Sequence, residues 1–268
     1  MNIKQQINLI GGGFHHADSS SGYSIPKYVE WVKKGESAPI SVYIDNALIE
    51  CKPNPNKKNY AWILESSAII PEVIEWVKNN ISRLEEDFEL IFTHDERLLS
   101  LSPKFKEIIT NSVPWVTKPK IYNKSKNLSM IASHKRMCPG HHYRHQILNK
   151  YRNHLDHFGW GFGNLTHKED ALKDYRFSIA MENDNYDNIF TEKITDCFVT
   201  GTIPVFWGMP SIDKFFNTDG IIILDENFNI DSLTPDLYFS KKEAMEDNFE
   251  RSLNLPIAED YMYQNYIK

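Results

Sequence analysis

Cysteine is scarce in this 268-residue sequence: Cys51, Cys138 and Cys197 are the only three, an odd number with no CxxC pair. That excludes a disulfide framework and fits reduced thiols in a cytoplasmic protein. Positive charge is not in excess either. Thirty Lys and Arg against 36 Asp and Glu leave a net charge of −6 and a pI near 5.9. A nucleic-acid partner would need a basic face, so none is expected, and any phosphate recognition must be local. Long hydrophobic runs are lacking: no stretch of about 18 apolar residues occurs, and the first apolar segment is broken by Gly11-Gly12-Gly13. Neither a signal peptide nor a membrane span is expected. Short-period repeats and low-complexity tracts are missing as well.

What is present is an ordinary globular composition, 41% hydrophobic and 25% charged, over a length that suits two α/β lobes of roughly 120 to 150 residues with a cleft between them. Ile7 to Ile10 reads as a strand closed by glycines, and Ile25, Tyr28, Val29 and Val32 recur at helical spacing. Strands are also predicted at Val42 to Ile44, Tyr60 to Leu64 and 88–93 (FELIFT). A helix with Pro71 in its first turn should carry Val73, Ile74, Val77, Ile81 and Leu84 on one face. This alternation points to parallel βαβ units. The stretch 117–127 holds four lysines, a proline and no acid, a solvated composition that fits an interdomain linker. The expected lobes are therefore 1–122 and 123–268. In the second, LSMIAS, FSIAM, IPVFW and GIIIL read as buried strands, and 241–251 and 258–267 as terminal helices.

The stretch AMENDNYDNIFTEK (180–193) concentrates the chemistry. In open α/β sheets, ligands sit beyond the carboxyl ends of strands, where Glu182 and Asn183 fall after FSIAM. Thr191 then reads as an N-cap, with Ile194, Cys197 and Phe198 as a buried stripe and Gly201 as the stop. Glu192 and Lys193 occupy the first turn. A helix start with a lysine favours an anion, and a glutamate tolerated beside it suggests a sugar diol. Strand-Glu-Asn, loop, Thr-Glu-Lys thus describes a phosphate next to a sugar. His141, His142 and His145 include an i, i+4 pair, but no third ligand is spaced to complete a metal site. They are expected to add partial positive character or to solvate their helix.

The whole string FSIAMENDNYDNIFTEKITDCFVTGTIPVFWGMPSIDKFF (177–216) closely resembles the donor-binding signature of the α1,3/α1,4-fucosyltransferase family. Upstream, SMIASHKRMCPGHHYRHQILNKY is similar to the family's first donor-lobe strand and following helix, with Arg144 on the arginine that contacts the donor pyrophosphate. YAWILESS (60–67) resembles the strand ending in the family's catalytic glutamate, which makes Glu65 the candidate base. Asp95, after FELIFTH, is a rival placed by the same strand-end logic. Where the family has a tyrosine three residues before the Glu of Thr-Glu-Lys, this sequence has Ile189; Tyr186 is the substitute candidate.

The resemblance implies a GT-B fold of two Rossmann-like lobes, acceptor on the first and nucleotide sugar on the second. It implies an inverting, metal-independent transfer of fucose from GDP-fucose to a glycan hydroxyl in α1,3-type linkage. Glu65 would take the proton; Arg144, Thr191 and Lys193 would face the diphosphate; Glu192 would hold ribose hydroxyls; and Glu182, Asn183 and Tyr186 would meet the sugar. No DxD metal motif is present, since Asp184 and Asp187 have the wrong spacing. The alternatives are transfer of another nucleotide hexose, or a non-catalytic module that binds sugar nucleotides or glycans. A dinucleotide oxidoreductase is disfavoured because GGGFHH lacks the GxGxxG spacing.

Overall fold

The computed structural model describes residues 3–22, 24–109, 112–161 and 165–268. Its contacts divide the chain into two compact units, Met1–Asn111 with Pro256–Lys268, and Ser112–Leu255.

In the first unit six strands form a parallel sheet in the order β2-β1-β3-β4-β5-β6: β1 (Gln5–Ile10), β2 (Val29–Val32), β3 (Ile40–Ile44), β4 (Lys58–Ile63), β5 (Ile91–Thr93) and β6 (Phe105–Glu107). Every residue of β3 and all but the first of β4 are buried, as expected of strands covered on both faces. The intervening helices are α1 (Ala47–Glu50), α2 (Pro71–Asn79), α3 (Ile81–Asp87) and α4 (Glu96–Leu99). Register pairs Ile10 with Tyr43, Ile44 with Trp62 and Ile63 with Thr93. The carboxyl ends of β1, β3, β4 and β5 are therefore level. Gly11, Asp45, Glu65 and His94 follow them along one sheet edge.

The second unit holds five parallel strands in the order β11-β10-β9-β7-β8: β7 (Lys126–Ile131), β8 (Asp156–Phe158), β9 (Tyr175–Met181), β10 (Ile203–Trp207) and β11 (Ile222–Ile223). Helices α5 (Pro139–Tyr151), α6 (Glu192–Phe198), α7 (Pro235–Ser240) and α8 (Lys242–Leu253) belong to it. Odd positions of β9, Phe177, Ile179 and Met181, fill one core with Leu128, Met130, Ile203 and Val205. Helix α9 (Ala258–Met262), continued by a wider turn over Tyr263–Ile267, packs in the first unit, where Ala258, Met262 and Ile267 join the core of Ile7, Val42 and Trp62.

Several expectations need correcting. The apolar residues near 25–32 form β2 rather than a helix: Val29 is buried and pairs with Gln5, and sheet pairing outweighs a spacing that only four residues define. The predicted long helix after Pro71 is two helices, broken at Asn80 (φ −130°, ψ 33°), whose side chain donates to the Trp76 carbonyl. The lysine-rich stretch, exposed over most of its length, is nevertheless stitched onto the second unit. The Lys120 and Tyr122 amides donate to the Val199 and Thr200 carbonyls, and Lys124 Nζ reaches the carbonyls of Leu172, Lys173 and Thr200 and the Thr202 hydroxyl. The contact division also differs from the sequence boundary, giving 112–122 to the second unit and 256–268 to the first.

Candidate active site

Beyond the carboxyl end of β9, the motif builds a charged network. Glu182, only 1% exposed, accepts the Thr191 amide at 2.9 Å, the Thr191 hydroxyl at 2.8 Å and Lys193 Nζ at 3.1 Å. Thr191 caps α6 by accepting the Lys193 amide, as the sequence predicts, and Ile194, Cys197 and Phe198 are buried behind it. Gly201 ends the helix with φ +72°, a left-handed conformation that suits glycine. Gly208, after β10, has its own reason: a Cβ there would stand 2.7 Å from Glu182 Cγ. The carboxylate of Glu182 thus sits at the first turn of α6 and already occupies part of its anion-binding capacity.

Arg144 lies on α5 and is 7% exposed. Its Nη2 donates to the Met181 carbonyl at 2.7 Å, the Glu182 carbonyl at 3.2 Å and Asn183 Oδ1 at 3.1 Å. This close approach depends on Gly140, where a Cβ would come within 2.2 Å of the Asn183 carbonyl oxygen. Arg144 is therefore a buried tie between α5 and the end of β9, not a surface arginine. Tyr186 stands half-buried in the loop before α6, and Ile189 is buried. Asp187 accepts the Ser211 amide and hydroxyl, fixing that loop to the segment after β10.

Two network members have little or no sequence signal. Lys168 Nζ bridges Glu192 Oε1 at 3.0 Å and Asp196 Oδ2 at 2.8 Å and lies 4.7 Å from the Trp115 ring centroid. Asp196 Oδ1 accepts the amides of Trp115 and Val116. Asp196 was visible only as part of the quoted string, and Lys168 sits in a polar stretch with no pattern. Burial opposes the charge on Glu192, but the positive charges of Lys168 and Lys193 prevail and hold its carboxyl at about 2. Burial likewise opposes the Lys168 ammonium, and Asp196 and Glu192 overcome it, keeping the group charged. Lys168 pairs with Glu192 and Asp196 and Lys193 with Glu182, while Arg144 serves neutral oxygens and burial pushes the Asp196 carboxyl up. Lys193 is the member best able to turn to a ligand, because Glu182 keeps its bonds to Thr191 without it.

These groups border a cavity of about 180 Å³ lined by Arg144, Lys168, Ser178, Ala180, Glu192 and Lys193, with Gly159 and Trp160 after β8. Small Ser178 and Ala180 on the even face of β9 leave this space where the odd face is filled. The volume is below the roughly 300–1,000 Å³ of a whole drug-sized ligand site and suits one charged portion of a larger molecule. His141 and His145 neither add positive charge there nor solvate the helix, the two roles expected of these histidines. His141 and His145 are buried, and burial together with the charges of Arg144, Lys135 and Lys193 pushes His141 down to about 4. Among the described residues no group of three His, Cys, Asp or Glu is placed to hold a metal.

In the first unit, Glu65 is exposed just past β4, whereas the rival Asp95 is 1% exposed. Asp95 caps α4 and takes Arg97 Nε at 2.7 Å and Nη2 at 2.5 Å. Asp95 is thus buried against Arg97, whereas Glu65 is exposed. Gly11 (φ +107°) lets its loop pack where a Cβ would meet the Ile44 carbonyl oxygen at 2.8 Å.

Two parallel-sheet α/β units in one chain are consistent with the two-lobe GT-B fold. Crystal structures of an α1,3-fucosyltransferase, with GDP and with GDP-fucose, are similar in fold at a TM-score of 0.51 and 16% identity, covering 94% of this chain and 82% of theirs. Residues 121–249 match the model of glycosyltransferase family 10 (fucosyltransferase) C-term. The resemblance carried by 177–216 is thereby borne out. An α-(1,3)-fucosyltransferase of Helicobacter pylori is 31% identical over 105 residues, 38% of this chain and 22% of that protein. A putative fucosyltransferase-like protein of Arabidopsis thaliana is 37% identical over 84 residues, 29% and 16% respectively. The chain thus spans less than a quarter of the length of these curated relatives in the matched regions. Among the described residues no helix is long and apolar enough to cross a membrane.

Proposed function

We propose that the protein is an inverting glycosyltransferase that moves fucose from GDP-fucose to a glycan hydroxyl in α1,3-type linkage. The observation that carries this reading is the coincidence of the family 10 region with a cavity bordered by Arg144, Lys168 and Lys193. The acceptor hydroxyl attacks the anomeric carbon, the bond from that carbon to the diphosphate oxygen breaks, and GDP leaves from the opposite face. Glu65 takes the acceptor proton. Charge growing on the departing diphosphate is met by Lys193 and Lys168, with Arg144 holding the Glu182-Asn183 backbone around it, so the protein's own cations supply the stabilisation a metal provides elsewhere. Glu192, kept ionised, accepts from ribose hydroxyls. Asn183 and Tyr186 contact the sugar, and Thr191 and Glu182 set the position of Lys193. The first unit serves the acceptor and the second the nucleotide sugar. Three free cysteines agree with a reducing, cytoplasmic setting.

A thermal-shift panel of GDP, UDP, CDP and their sugars, followed by product analysis with GDP-fucose, tests this directly. Selective stabilisation by GDP and fucosyl transfer to a glycan are expected. Stabilisation by UDP or CDP in preference to GDP would reassign the donor, and GDP binding without transfer would reduce the protein to a binding module.

A further inference from the structure

The second unit's cavity, at about 180 Å³, is too small for a whole nucleotide, so the rest of such a ligand must lie at its rim. The lining shows one direction in which it can extend. From Glu192 and Lys193 at the start of α6 it runs past Ala132 and Ser133, after β7, to Gly159 and Trp160, after β8. In the sheet order β9-β7-β8 the two ends of this path are two strand spacings apart, about 10 Å. Small side chains at the end of β7 leave the middle of the path open.

Trp160 closes the path with an exposed ring. It is 64% exposed, whereas the other five tryptophans are buried or half-buried. The backbone around it is shaped to hold it there. Gly159 (φ +125°) turns the chain off β8 where a Cβ would stand 2.2 Å from the Ala132 carbonyl oxygen, and at Gly161 (φ +90°) a Cβ would stand 2.5 Å from His134 Nδ1. Between them the Trp160 carbonyl accepts the His134 amide at 3.2 Å, and the His134 ring packs on the indole with centroids 4.3 Å apart. Both neighbours of Trp160 must be glycine for His134 to come this close. A flat apolar ring is thus fixed beside the cavity that Arg144, Lys168 and Lys193 line, and apolar packing inside the protein does not use its exposed surface.

We propose that Trp160 is the stacking platform for the nucleobase of the donor, with the diphosphate at Lys193 and Lys168 and the ribose bridging the end of β7. This rests on the reading of the cavity as a nucleoside diphosphate site and adds where the base lies. Every nucleobase has a π face, so the indole strengthens GDP and UDP alike, and choice between them falls to groups that meet the edge of the base.

Calorimetry of the full chain with inorganic pyrophosphate, GDP and GDP-fucose tests this, together with tryptophan emission. Trp160→Ala should weaken GDP and GDP-fucose by the same factor, at least about fivefold, and leave pyrophosphate affinity unchanged. Trp160→Phe, which keeps a flat ring, should recover part of the loss, and GDP should quench the emission of the wild type more than that of Trp160→Phe. Removing an exposed ring leaves the fold intact, so unaltered GDP affinity in Trp160→Ala overturns the inference. A loss confined to GDP-fucose would set the ring against the sugar, and an equal loss of pyrophosphate would make it a wall of the phosphate cavity; either result overturns it too. A wild type that binds neither GDP nor GDP-fucose would sink the proposed function itself.

Discussion

The candidate donor acids of the second unit and the candidate base of the first are held differently. In the second, three carboxylates beyond β9 are tied to a cation or a hydroxyl: Glu182 to Lys193 and Thr191, Glu192 and Asp196 to Lys168. In the first, the peptide leading into the exposed Glu65 is held by Asp45 and His94. A site that receives a fully charged ligand needs a balanced network that can hand over one cation. A site that removes a proton needs an acid whose neighbours make it basic.

The largest effect expected from breaking this comparison is on turnover. Glu65→Gln should lower kcat by roughly 10²- to 10⁴-fold and leave GDP affinity unaltered, as measured by steady-state transfer and calorimetry; an equal loss in Asp95→Asn with a stable fold would return the assignment to Asp95. Next come the ties of the second unit. Arg144→Ala removes a buried guanidinium that serves three oxygens and should destabilise the fold by about 2–4 kcal/mol in urea denaturation. Lys193→Ala should instead cost under about 1 kcal/mol yet weaken GDP binding several-fold, separating the tie from the ligand-facing cation. Gly140→Ala should cost about 1–3 kcal/mol, because its Cβ would fall 2.2 Å from the Asn183 carbonyl oxygen, and GDP affinity should drop with it.

The smallest effect concerns pH. Folding raises the Asp45 pKa from 3.8 to about 7, so its contribution favours the folded state below pH 4 and is lost as pH rises through 7. Asp45→Asn should therefore gain stability at pH 8 and none at pH 4, read from melting curves at both values.

Legibility in the sequence follows the same division. The cap at Thr191, the stop at Gly201 and the buried stripe between them are local features of the chain, and their spacing is readable because each acts within a few residues. Glu65 was readable as a strand-end acid, but Asp45 and His94 reach it across three strands, and no spacing announces register. Lys168 was invisible for the same reason: its partners lie 24 and 28 residues away. The lysines of 117–127 misled because composition alone does not distinguish a solvated chain from one laid along carbonyls. The helix expected at 25–32 failed because a short apolar set fits more than one period, and pairing with β1 decided it.

The most direct test of the central claim is a crystal of the protein grown with GDP. The diphosphate should lie in the second unit's cavity within hydrogen-bond distance of Lys193, with that ammonium turned away from Glu182. Density for the nucleotide elsewhere, with Lys193 still bonded to Glu182, would contradict the account.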